Sequence, residues 1–124
     1  MIGAGAVNML IAVAAGAFGA HGLKAVLNAE MLAIWQTAVH YQMVHALALL
    51  ALGILLEQWG DALLTKAAYA MLSGIALFSG SLYALALSEV RVLGAVTPVG
   101  GAAFLLGWAL LAWCAYRRHK THPI

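Results

Sequence analysis

The chain has 124 residues; 65% are hydrophobic, only 8% are Asp, Glu, Lys or Arg, and the net charge is +2. A soluble domain carries about 25% charged residues because its surface must face water, so this composition excludes a water-soluble globule and points to a bilayer. Three of the six basic residues, Arg117, Arg118 and Lys120, crowd into the last eight positions, which leaves no basic surface for nucleic acid.

The ionic residues gather at 24–30, 57–66, 89–91 and 117–120, and four uncharged runs lie between them, at about 2–20, 34–56, 67–88 and 92–116. Each run is close to the ~20 residues that a helix needs to cross ~30 Å of hydrocarbon. Leu and Ala dominate, which favours helix, and the two-residue alternation of a transmembrane strand is missing. The predicted fold is all-α: a single domain over 1–124, an integral membrane bundle of four transmembrane helices.

The first run opens Met1-Ile2-Gly3-Ala4, with no positive n-region and an apolar stretch long for a signal peptide. It is therefore predicted to be a retained helix. Its Gly3, Gly5, Ala12, Gly16 and Gly19 suit close approach of a second backbone. In the connection, about 22–32, Leu23, Val26, Leu27 and Met31 fall on one helical face, with Lys24 and Asn28 off it. This reads as a short amphipathic helix on the membrane surface. Glu30 falls on its apolar side, so a break at Asn28 is the alternative, with Asn28 capping a long second helix and Glu30 in its first turn.

The second run carries the one chemically unusual stretch, Trp35-Gln36-Thr37-Ala38-Val39-His40-Tyr41-Gln42-Met43-Val44-His45. Thr37, Tyr41 and His45 form one stripe at i, i+4, i+8, and Gln36 and His40 form the neighbouring one. Gln42 falls outside that arc. His40 and His45 diverge by roughly 140° around the helix, whereas two ligands on one metal want i+3 or i+4 spacing, so no metal site is predicted. His45 lies near the bilayer middle, where a neutral imidazole needs both ring nitrogens satisfied. Asn8, Ser73, Ser79, Ser81 and Tyr83 are the candidate partners in other spans.

A short turn at Gly60-Asp61 leads to the third run, where Ala76, Gly80 and Ala84 recur every four residues and Ser79 and Ser81 flank the glycine. The tighter Ser88-Glu89-Val90-Arg91 leads to the fourth, with Thr97/Gly101 and Ala103/Gly107 at the same spacing. Such short loops join antiparallel neighbours. Gly16, Gly19, Gly80, Gly101 and Gly107 are the predicted helix-packing positions. Pro98 starts the fourth helix if that helix begins near Val96, and bends it if it begins at Val92. Trp35, Trp59, Trp113 and Tyr116 lie near span ends, as an aromatic belt requires, and Trp108 lies deeper. Cys114 is a lone thiol, read as an apolar packing residue. Residues 117–124 form a cytoplasmic tail, in which His119 and His122 have no assigned role. Lys66, Arg117, Arg118 and Lys120 outnumber Lys24 and Arg91, which places both termini in the cytoplasm.

Intramembrane polar groups face a bundle interior or a wet cavity, so two readings of the candidate internal site compete. The site comprises His21, Gln36, Thr37, His40, Tyr41, His45, Ser79, Ser81 and Tyr83. In one reading it is a hydrogen-bond network that fixes helix register. In the other it lines a path for a proton, an ion or a small solute, with haem ligation through His45 as a minor variant. No catalytic residue is assigned, because Glu30, Glu57, Asp61 and Glu89 all sit in connections and no nucleophile or phosphate-loop motif occurs.

Four segments carry a resemblance: Gly16-Ala17-Phe18-Gly19-Ala20-His21-Gly22-Leu23; Trp35-Gln36-Thr37-Ala38 with Tyr41-Gln42 and His45-Ala46-Leu47; Phe78-Ser79-Gly80-Ser81-Leu82-Tyr83; and Leu93 to Gly101, reading Leu-Gly-Ala-Val-Thr-Pro-Val-Gly-Gly. In that order they resemble the YgdD/YwdK family of small inner-membrane proteins, a domain-of-unknown-function family with a small mitochondrial transmembrane relative. The resemblance covers essentially the whole chain. It implies four spans in a bacterial inner membrane, it implies no activity, and it marks His21, Gln36, Thr37, Tyr41, His45, Ser79, Ser81, Tyr83 and Thr97 as recurring polar positions. The expected role is a structural or accessory membrane component, without cofactor. Its partners are the lipid bilayer and either further copies of itself or a larger membrane complex. A channel or transporter is the alternative.

Overall fold

Two short polar side chains start the middle spans. The Asn28 side chain, on extended backbone, accepts from the Met31 N–H at 2.8 Å and opens helix α2 (Ala29–Trp59). Asp61 accepts from the Leu63 N–H at 2.9 Å and opens α3 (Ala62–Gly74). Each satisfies a helix N–H that has no partner within its own helix. Between them Gly60 closes α2 at φ 64°, in the left-handed region where glycine carries no Cβ penalty. The computed structural model describes residues 1–123; the other helices are α1 (Ile2–His21), α4 (Gly80–Ser88) and α5 (Thr97–Thr121).

Four stretches are long and apolar enough to cross a membrane: Ile2–His21, Ala29–Trp59, Ala62–Ser88 and Arg91–Thr121. The second to fourth outrun their uncharged windows, because the caps rather than the charges decide where helices begin. The third span is α3 and α4 joined without a break through a π turn at Ile75–Ser79. The amphipathic helix predicted over 22–32 is replaced by a single 3₁₀ turn, Leu23–Ala25, since the Asn28 cap hands Met31 and Glu30 to α2. A second 3₁₀ turn, Arg91–Ala95, precedes α5, and Pro98 occupies its first turn, where a missing N–H costs nothing.

α2 and the third span form the centre, with α1 laid along α2 and α5 laid along α3. The buried face of α2 runs Met31, Trp35, Ala38, Gln42, His45, Leu49, Leu52, a strict alternation of four- and three-residue steps. Leu49, Leu52, Leu64, Met71 and Phe104 pack the half near Gly60, and Leu23, Trp35, Val39 and Ala86 pack the other. Leu10 on α1 and Leu105 on α5 are 71% and 73% exposed, so the flanking helices present apolar outer faces, as hydrocarbon requires.

Lipid is as apolar as leucine, so span association depends on contact rather than on removal from water. Glycines set how close the backbones come. A Cβ on Gly19 would lie 2.6 Å from the Trp35 ring, one on Gly16 3.3 Å from Val39, and one on Gly107 2.7 Å from Met71. The predicted seams at Gly80 and Gly101 need correction: a Cβ there meets nothing closer than 3.9 Å. The π turn rotates the third span so that Gly74, against Phe104, and Gly100, against the Phe78 backbone, take those places. Gly5 and Gly53 complete the α1–α2 seam, a Cβ on each falling 2.8 Å from the backbone nitrogens of Leu50 and Ile2 respectively.

Ion pairs mark the two ends. Arg91 grips both Glu30 oxygens, at 2.9 and 3.2 Å, while Arg117 reaches Asp61 at 2.8 Å and Arg118 lies over the Trp59 ring. The Leu63 N–H, and then Arg117, hold the Asp61 carboxyl below its usual range. A lowered folded value stabilises above the unfolded pKa of ~3.9, and that stabilisation is lost as pH falls through the folded value. Thermal scans between neutral and acid pH are therefore expected to show a loss on acidification that is smaller in Asp61→Asn, which keeps the cap without the titration.

Candidate functional site

The polar side chains of the interior form a set of directed bonds between spans. The Asn8 amide donates to the Ala4 carbonyl at 2.9 Å. A carbonyl only accepts, so the Asn8 oxygen must face Gln42, whose amide donates to it at 3.2 Å. The Gln42 oxygen is then left to accept from the Tyr83 hydroxyl at 2.8 Å. One chain of bonds thus runs from α1 through α2 to α4, with a single consistent direction.

Trp35 lies across α1 in the groove that Gly19 opens. Its indole N–H donates to the Ala15 carbonyl at 2.9 Å, and its ring meets the Tyr83 ring edge-on at 4.6 Å. It is an interhelical tie rather than a member of an aromatic belt. Ser79, fully buried at the end of the π turn, donates to the Ala38 carbonyl at 2.8 Å. Ser81 donates to the Phe78 carbonyl at 3.0 Å, which leaves the Thr97 hydroxyl to donate to Ser81 at 2.7 Å. This contact joins α4 to the first turn of α5.

His45 ties α2 to α5. The Trp108 indole can only donate, so the His45 Nε2, 3.0 Å away, accepts. The Nδ1 then carries the proton and donates to the Tyr41 carbonyl at 2.7 Å. The ring is 3% exposed and stacks on Phe104 with centroids 3.5 Å apart. Both nitrogens are thereby engaged inside the fold, and the lone pair that an iron would need is held by Trp108. Beside this pair an open groove of about 480 Å³ runs between α2 and α5, with Tyr41, Phe78, Leu105 and Pro98 among its walls. Among the described residues, every buried side-chain nitrogen and oxygen has a hydrogen-bond partner.

The structure divides the predicted site. It brings His45, Ser79, Ser81 and Tyr83 into the interior. It leaves His21, Gln36, Thr37, His40 and Tyr41 on the outer surface. Gln42, set outside the polar arc by the sequence reading, is 4% exposed and stands at the centre of the network. The seven-residue alternation from Met31 to Leu52 is the signal that would have placed it there.

The profile of the family described as "Protein of unknown function (DUF423)" matches residues 15–101. The UPF0382 membrane protein YwdK of Bacillus subtilis is 44% identical over 114 residues, which is 91% of this chain and 93% of that protein. UPF0382 membrane proteins of Staphylococcus saprophyticus and Staphylococcus epidermidis are 47% and 48% identical, each over 86% of this chain and over 88% and 87% of their own lengths. No solved structure matches the chain. Four apolar helices of spanning length, together with relatives that are themselves named as membrane proteins, make this an integral membrane protein, and the chain belongs to the DUF423 family.

Proposed function

We propose that the protein is a structural or accessory component of the bacterial inner membrane, acting through helix–helix association with further copies of itself or with a larger membrane complex, both termini in the cytoplasm. The observation that carries this reading is the complete internal pairing of the buried polar side chains. A polar group in a membrane span is retained either because it serves a transported species or because it holds neighbours in register. Here the Asn8–Gln42–Tyr83 chain, the Ser79 and Ser81 bonds and the His45–Trp108 pair all serve register. The four carboxylates add no catalytic centre: Glu30 and Asp61 are in ion pairs, and Glu89 bonds the Asn28 amide at 3.3 Å. Extraction in mild detergent is expected to recover an assembly of more than one chain; recovery of monomer alone would count strongly against the proposal.

One observation favours a second reading, a path for a small solute or proton: Tyr41 and His45 both border the groove between α2 and α5. Trp108→Phe separates the two. It removes the only donor to His45 Nε2 while keeping most of the ring. The register reading expects a loss of about 0.5–1.5 kcal/mol in an SDS unfolding titration and no flux in reconstituted vesicles beyond empty liposomes, for wild type or variant. Flux by the wild type that Trp108→Phe alters would establish the path instead.

A further inference from the structure

The polar residues that the fold leaves outside point to a partner. Along the outer face of α2, Gln36 and His40 stand one turn apart, both exposed, with no hydrogen-bond partner among the described residues. Their neighbour Thr37 bonds its own helix, donating to the Ala33 carbonyl at 3.0 Å. The outer faces of α1 and α5 at comparable depth carry Val13, Leu105 and Leu106, all exposed and all suited to lipid. A slab of ~30 Å centred between Glu30 and Asp61 puts Gln36 near its edge and His40 about 7 Å inside. An amide and an imidazole at that depth lack water to bond, and an unsatisfied polar group in hydrocarbon is costly.

We propose that this face of α2 is the docking surface for a second copy of the same chain, the two copies side by side in one orientation. The inference deepens the association reading above and rests on it. The self-matching chemistry of the face selects the occupant. Copies inserted alike pair about a two-fold axis along the bilayer normal, and a residue beside that axis meets its own counterpart. Such a pair bonds only if one side chain both donates and accepts. A glutamine amide does, giving a two-bond amide pair, and a neutral imidazole does, with one N–H and one lone pair. Two lysines or two glutamates would repel. Ala33 and Thr37, on the same face, are small enough to let the second backbone close in, the usual companion of polar contacts between membrane helices.

The test is cysteine cross-linking in native membranes, in a Cys114→Ser background. His40→Cys is expected to oxidise to a covalent dimer, whereas Val13→Cys on α1 and Leu105→Cys on α5, at comparable depth, stay monomeric. The double variant Gln36→Leu with His40→Leu, in mild detergent, is expected to shift from dimer to monomer mass while keeping its helical signal. Absence of the His40 cross-link, equal linking from the control faces, or a dimer that survives the double substitution overturns the inference. A wild type that associates only with a different protein overturns this inference and leaves the accessory role standing, whereas a wild type monomeric in mild detergent overturns both.

Discussion

Replacing Gly100 by alanine is expected to destabilise the protein by about 1–3 kcal/mol, although it adds only one methyl group. An ideal Cβ at that position overlaps the Phe78 backbone nitrogen and lies 2.7 Å from the Phe78 Cα. Backbone cannot rotate away as a side chain can, so α5 must retreat from the π turn. The Ser81–Thr97 bond at the start of α5 and the Phe104 packing beyond it would loosen together. No gain from burial opposes this, since contact rather than dehydration holds membrane helices together. Gly101→Ala, one residue on, is the control: its Cβ meets only Phe78 Cδ2 at 3.9 Å, and alanine is the better helix former by ~1 kcal/mol. SDS titration followed by circular dichroism should rank Gly101→Ala at or above wild type and Gly100→Ala well below. Equal curves would refute the close approach described for α5.

Gln42→Leu is expected to cost about 1–3 kcal/mol by the same measurement. Interhelical bonds in lipid are individually weak, ~0.6 kcal/mol on average and ~1.7 at most. Gln42 makes two, and its loss also strands the Asn8 oxygen and the Tyr83 hydroxyl in the interior, where an unpaired group carries its own penalty. The effect should therefore exceed that of Tyr83→Phe, which leaves the Asn8–Gln42 bond intact. A Gln42→Leu curve that coincides with Tyr83→Phe would mean that the bonds act singly.

The span count and the helical class could be read from the charge gaps, because excluding ions from hydrocarbon is the strongest constraint on such a chain. The facing of α2 was harder to read. Sorting residues by polarity put Gln36, Thr37, His40 and Tyr41 inside, on the assumption that polar means interior, and set Gln42 aside. The alternation of Met31, Trp35, Ala38, Gln42, His45, Leu49 and Leu52 decides otherwise: the bulky apolar majority turns that face inward and carries Gln42 with it. The seams of the third and fourth spans were misread by one register for a different reason. A count by fours from Ala76 through Gly80 to Ala84 assumes an unbroken α-helix, and the π turn at Ile75–Ser79 breaks that count. A five-residue turn leaves no compositional mark in a run of Ile, Ala, Leu and Phe. The Asn28 cap was legible as an alternative, and its single bond to Met31 decides the fate of the whole connection.

That same π turn has a wider meaning for how the chain tolerates change. A wide turn holds one residue more than the regular coil around it, so excising a single position there, such as the half-exposed Leu77, would restore a plain helix and swing everything downstream by about 100°. Ser79, Ser81 and Tyr83 would then sweep off their acceptors at once with none of them altered. A one-residue deletion in that stretch would dismantle the polar fastening that point substitutions can only thin, so length, more than identity, is what this part of the chain must preserve.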